Sequence, residues 1–98
     1  LEPGASGPAL ARLASELPRP QAILVVSAHW ESRRLLLTAG ERPETWHDFG
    51  GFPAALYALQ YPAPGAPQLA EAIARQLDAA GLPAELDARR PFDHGAWV

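Results

Sequence analysis

The sequence predicts an α/β protein, a partly parallel central sheet flanked by helices, seen here as an incomplete fragment of a larger single domain. Three observations predict this. The run Ile23 to Val26 is apolar without a break, as in a strand covered on both faces. Helix-period and strand-period segments alternate along the chain, an order that favours parallel pairing. The 98 residues begin with Leu1, stop after an apolar pair at Val98, and would build only a modest core of their own.

Residues 6–17, "SGPALARLASEL", predict the first helix. Ser6 or Gly7 supplies a cap, Pro8 suits the first turn, and Leu10, Leu13 and Leu17 share a face. "PRP" at 18–20 ends it, because proline lacks a donor and restricts its predecessor. A buried strand is expected over 22–27 and a second short one over 35–38. The stretch 40–53, "GERPETWHDFGGFP", is a long loop dense in glycine, proline and aromatic residues, and 53–60 allows a short helix. After the rigid "YPAPGAP", Pro67 opens the clearest helix, with Leu69, Ile73 and Leu77 one above another and Ala70 and Ala74 beside them. Gly81 is placed to close it in the left-handed conformation, and Pro83 prevents continuation. A last strand near 84–86 leads into "RRPFDHGAWV". No repeat, low-complexity tract or internal domain boundary interrupts this order.

Composition narrows the function. With 48% hydrophobic and 19% charged residues the chain is globular rather than disordered. A net charge of -3, with Arg33-Arg34 and Arg89-Arg90 as isolated pairs, argues against a nucleic-acid platform. The lack of cysteine removes disulfides and thiolate sites and is compatible with a cytoplasmic location, which we expect. No segment is long and apolar enough to span a bilayer. The sequence leaves the oligomeric state open.

The chemistry resides in three histidines, all outside the regular elements. His29 follows the first strand, His47 lies in the glycine-rich loop, and His94 follows the last strand. Ligands of open α/β sheets bind beyond the carboxyl ends of the strands, so His29 and His94 should face one edge, and the long loop can bring His47 there. Clustered neutral imidazoles bind metal or move protons. Plainer readings stand beside this one. His29 can be an ordinary polar residue after a strand, His47-Asp48 a side-chain-supported turn, and Asp93 the cap of a short helix. Gly50-Gly51 provide positive φ or close approach, and Trp30, Trp46 and Trp97 serve as packing. No HExxH, Walker, GxSxG or CxxC pattern is present.

In order and spacing, "LPRPQAILVVSAHWES", "HDFGGFPAALY", "YPAPGAPQLA" and "DHGAWV" resemble the DOPA-dioxygenase type of class III extradiol ring-cleaving dioxygenases from about Leu17 to Val98. The resemblance implies an α/β enzyme that opens catechol rings with O2 at a non-haem divalent metal, Fe(II) in most members and Zn(II) in some relatives. It implies that residues 1–98 are the N-terminal portion of one catalytic domain. On the matching motifs, His29 of "SAHW" becomes a metal ligand, and His94 of "DHG" lines the same pocket, to contact substrate or tune the metal's surroundings. His47 of "HDFGG" is placed at the mouth of the site, and we count it with His94 as a catalytic candidate. The resemblance also places one metal histidine, in a "GHG"-type motif, before Leu1, and a further ligand and an acid/base histidine after Val98. A catechol and O2 are thus the expected partners, with neither nucleic acid nor membrane. A zinc-bound relative, a metal-dependent hydrolase and a non-catalytic module retaining the fold are the alternatives.

Overall fold

A computed structural model of the protein describes residues 4–98. The elements are α1 (Ser6–Glu16), β1 (Leu35–Thr38), α2 (Ala54–Tyr57), α3 (Pro67–Ala79), β2 (Ala84–Asp87) and α4 (His94–Trp97). β1 and β2 pair in parallel, with Leu35 opposite Ala84 and Thr38 opposite Asp87, and α3 is the crossover between them. This is a β-α-β unit, as the alternation of patterns predicts.

The crossover helix forms where expected. Pro67 takes its first position, and Ala70 and Ala74 are the buried residues of its inner face, 6% and 8% exposed. These small side chains let the helix settle close on both strands while Leu69, Ile73 and Leu77 flank the contact. Gly81 closes the helix at φ 81°, with the Leu82 N–H donating to the Leu77 carbonyl over 2.8 Å. That is the left-handed cap the sequence calls for.

Beyond the sheet a single parallel bridge, Thr45 to Phe92, extends the contact. The Trp46 N–H donates to the Phe92 carbonyl and the Phe92 N–H to the Glu44 carbonyl, each over 2.8 Å. The long loop is thereby fastened to the segment leaving β2, which carries Asp48 and His94 toward the same end of the unit.

Two expectations need correction. Residues 22–27 have no ladder partner among the described residues, and Val26 is 93% exposed. The apolar composition favours burial, but a strand exists only where a neighbour's N–H and C=O groups complete it. Instead a trough of about 730 Å³ lies between Ile23–Val26 and the surface of β1 and α3. The first helix also differs in its cap: Ala5 holds that position without a side-chain hydrogen bond, and Ser6 lies inside the helix. Its stripe of Leu10, Leu13 and Leu17 is exposed. No helix among the described residues is long and apolar enough to cross a membrane.

Candidate metal centre

His29 is held by the turn that follows the apolar run. The Trp30 N–H donates to the Ser27 carbonyl over 3.4 Å, and the His29 N–H donates to Ser27 Oγ over 3.1 Å. The Ser27 hydroxyl in turn donates to Asp93 Oδ1 over 2.5 Å, and the Arg90 guanidinium donates to Asp93 Oδ2 over 2.8 Å. Asp93 is 2% exposed, the most buried polar residue described. A carboxylate so buried needs a charged partner and hydrogen bonds, and it has both. Arg90 Cζ lies 4.6 Å from the Trp30 ring centroid and 4.8 Å from that of Trp46, two cation–π contacts. Its Nε is buried without a hydrogen-bond partner. Asp93 occupies the N-cap position of α4, as expected, yet its side chain makes no capping bond, because Ser27 and Arg90 engage it. The result is a clasp that fixes the His29 turn to the segment entering α4.

Within this frame His29 and His94 meet. Their rings lie 3.8 Å apart, centroid to centroid, in an edge-on arrangement of 71°. Asp48 sits against both. Its Oδ2 is 3.3 Å from His29 Nδ1, and its Oδ1 is 2.8 Å from His94 Nδ1. The same Oδ1 accepts the His94 main-chain N–H over 2.8 Å. Burial works to raise the Asp48 carboxyl, but the bonds from the His94 main chain and ring outweigh it and hold the group below its usual range. One donor atom from each of His29, Asp48 and His94 falls within 4.8 Å of the others, so the group can hold a metal ion. Imidazole and carboxylate donors suit a borderline divalent cation.

Gly95 lets the centre close. A Cβ there would collide with Ser27 Oγ and lie 2.9 Å from His29 Cδ2 and 3.1 Å from Asp93 Oδ1. The glycine of "DHG" is therefore a packing requirement of the site. Gly51, at φ 77°, provides the positive φ expected of the Gly-Gly turn.

His47 is not brought into this group. Its Nε2 lies 2.7 Å from the Leu59 carbonyl, to which it donates. Its ring packs 5.4 Å from Trp97 and 5.9 Å from Phe49. Phe49 stands between the two environments, with its ring 5.1 Å from that of His94. Beside His94 opens a small apolar pocket of about 240 Å³ lined by Phe49, Phe52, Leu56, His94 and Val98. Phe52 thus lines a pocket wall, whereas Trp30 packs on Arg90.

Sequence reasoning found the two histidines that meet and missed the groups that hold them. Asp48 and His94 are 46 residues apart and Ser27 and Asp93 are 66 apart, so no local pattern links either pair. An acid two residues before a Gly-Gly turn is the one local hint.

A β-α-β unit with two imidazoles and a carboxylate gathered at one end defines an α/β protein with a candidate three-donor metal site. The comparison with known proteins is more specific: residues 8–98 match the family described as the catalytic LigB subunit of aromatic ring-opening dioxygenase, and the chain belongs to that family. A protein of Escherichia coli (strain K12) named 4,5-DOPA dioxygenase extradiol is 55% identical over 87 residues, covering 88% of this chain and 31% of its own length. A protein of the same name from Portulaca grandiflora is 46% identical over 81 residues, 82% of this chain and 30% of its own. A dioxygenase of Hapsidospora irregularis named tasH is 37% identical over 81 residues, 82% of this chain and 25% of its own. The chain spans about a third or less of the length of these relatives.

Proposed function

We propose that this chain is the N-terminal portion of the catalytic domain of a non-haem extradiol dioxygenase that opens catechol-type rings with O2. The observation that carries this reading is the convergence of His29 and His94 on Asp48 in a chain of the LigB family. The names of the relatives, dioxygenases of the extradiol type, support the same reaction class.

His29 is the residue of this chain that would hold the metal, through the nitrogen left free by Asp48. A redox-active divalent ion there would supply a common anchor for the diol and dioxygen and a path for electrons between them. Fe(II) meets that requirement, and we assign it to the native site; Zn(II) would occupy the same donors without the redox step. The apolar pocket beside His94 would receive the aromatic ring, with Phe49 and Phe52 excluding water from its faces. With Nδ1 donating to Asp48, His94 keeps a lone pair on Nε2, where it accepts a hydrogen bond from a phenolic hydroxyl and holds the proton as the diol ionises. His47, its Nε2 committed to Leu59, shapes the wall around Phe49 and Trp97 and takes no proton in this scheme. In the balanced reaction one C–C bond next to the diol and the O–O bond break, and both oxygen atoms enter one muconic semialdehyde.

The test uses the full-length protein, freed of metal and reloaded under anaerobic conditions with Fe(II) or Zn(II), then given a catechol and air. The iron form should consume one O2 per catechol and yield a coloured ring-opened product, and the zinc form should not. Failure of the iron form to take up O2 with any catechol would leave a zinc-bound relative, a hydrolase or a non-catalytic module.

A further inference from the structure

Resting on the assignment of His29 as a metal ligand, we infer that Asp48 is a positioning residue that sets the proton of both imidazoles on Nδ1, leaving both Nε2 atoms free for metal and substrate. A neutral imidazole carries a single N–H, and the nitrogen that bears it is selected by the hydrogen bond available to it. An ionised carboxylate only accepts: it takes a hydrogen bond from His94 Nδ1, and at ion-pair distance it favours an N–H over a lone pair on the His29 nitrogen turned toward it. Asp48 presents Oδ1 to His94 Nδ1 at 2.8 Å and Oδ2 to His29 Nδ1 at 3.3 Å. One carboxylate therefore serves two rings, and its two oxygens divide them.

The main chain fixes which oxygen serves which ring. The His94 backbone N–H also donates to Oδ1 over 2.8 Å, and this donor cannot exchange its role. Asp48 is largely enclosed, its side chain 10% exposed, while that of His29 is 38% exposed. The carboxylate thus backs the rings, and His29 keeps an open face. The clasp of Ser27, Asp93 and Arg90 holds the main chain at His29, so the tautomer and the position of that residue have separate supports.

The division of oxygens makes an asymmetric prediction for Asp48→Asn. The amide keeps one acceptor oxygen, which the His94 main chain and ring retain, and turns its NH2 toward His29 Nδ1. That nitrogen must then accept, which moves the His29 proton to Nε2 and blocks it as a ligand. His94 keeps its tautomer.

Two-bond proton–nitrogen correlation on the metal-free, full-length protein with labelled histidine, at mildly alkaline pH, reads this directly. In the parent protein His29 and His94 should both show the Nδ1–H pattern. In Asp48→Asn, His29 should switch to Nε2–H while His94 does not, and Zn(II) affinity by competition titration should fall roughly 10- to 100-fold. Asp48→Glu, which restores a carboxylate, should return the His29 pattern and part of the affinity. The inference is overturned if His29 of the parent protein carries Nε2–H, or if Asp48→Asn leaves its tautomer unchanged. An unchanged tautomer with lost Zn(II) affinity would make Asp48 a direct ligand. Because the spectrum is recorded without metal, it is distinct from the ligand assignment, which fails separately if His29→Ala binds metal normally.

Discussion

At the scale of residues, the site is a set of paired demands met across long sequence separations. Asp93 is buried and the largely enclosed Arg90 is joined to it at 2.8 Å, so removing one strands the other's charge. Asp93→Ala should lower the stability of the full-length protein by about 3–5 kcal/mol in denaturant titration. Loss under about 1 kcal/mol would show that the clasp is not a structural pair. Gly95→Ala forces a methyl against Ser27 Oγ and His29, and should destabilise by about 1–3 kcal/mol while weakening metal retention. His94→Phe keeps an aromatic ring beside Phe49 but removes the Nε2 lone pair. It should reduce kcat roughly 10²- to 10⁴-fold with metal content unchanged; parallel loss of metal would make His94 a ligand. Asp48 gives a pH dependence with a definite sign. Its carboxyl is held low in the folded state, so its contribution to stability is complete above the usual carboxylate range and is lost as pH falls through the lowered value. Acid titration of Asp48→Asn should therefore lack this component, and identical acid profiles for the two proteins would contradict it.

At the scale of elements, local patterns were enough wherever neighbours in sequence supply the partners. β1, the proline-opened α3, its Gly81 closure and β2 were all legible, because each rests on short-range propensity and a β-α-β order that favours parallel strands. His29 and His94 do meet as expected, but residues 22–27 pair with no strand among the described residues, so the edge rule accounts for His94, which follows β2, and not for His29. Hydrogen-bonding partners of residues 22–27 were not legible, since an apolar run states a need for cover and not its source. Nor were the roles of Asp48 and Asp93, which local reading treats as turn and cap formers, whereas their side chains bond across the fold. For Ile23–Val26 we propose an inner strand in the full-length protein, completed by segments beyond this chain. Its amides should then exchange with solvent slowly, at rates close to those of β1. Fast exchange there would show that the run is a surface connection.

At the scale of the whole molecule, the surface is larger than the chain's size warrants. It exposes 7816 Å², against about 5400 Å² for a compact monomer of its mass. Its radius of gyration is 15.4 Å, against about 13 Å for a compact domain. The excess includes the exposed stripe of α1 and the trough beside Ile23–Val26. Expressed alone, residues 1–98 should bind a hydrophobic dye and melt without a sharp transition, whereas the full-length protein should do neither. A sharp cooperative melt of the isolated segment would show that it is a domain in its own right. Metal analysis tests most directly the proposal that the imidazole of His29 grips the catalytic ion. The full-length His29→Ala protein, loaded anaerobically with Fe(II) and desalted beside the parent protein, should retain little iron where the parent retains about one ion per active site. Full iron retention by the variant would contradict the account.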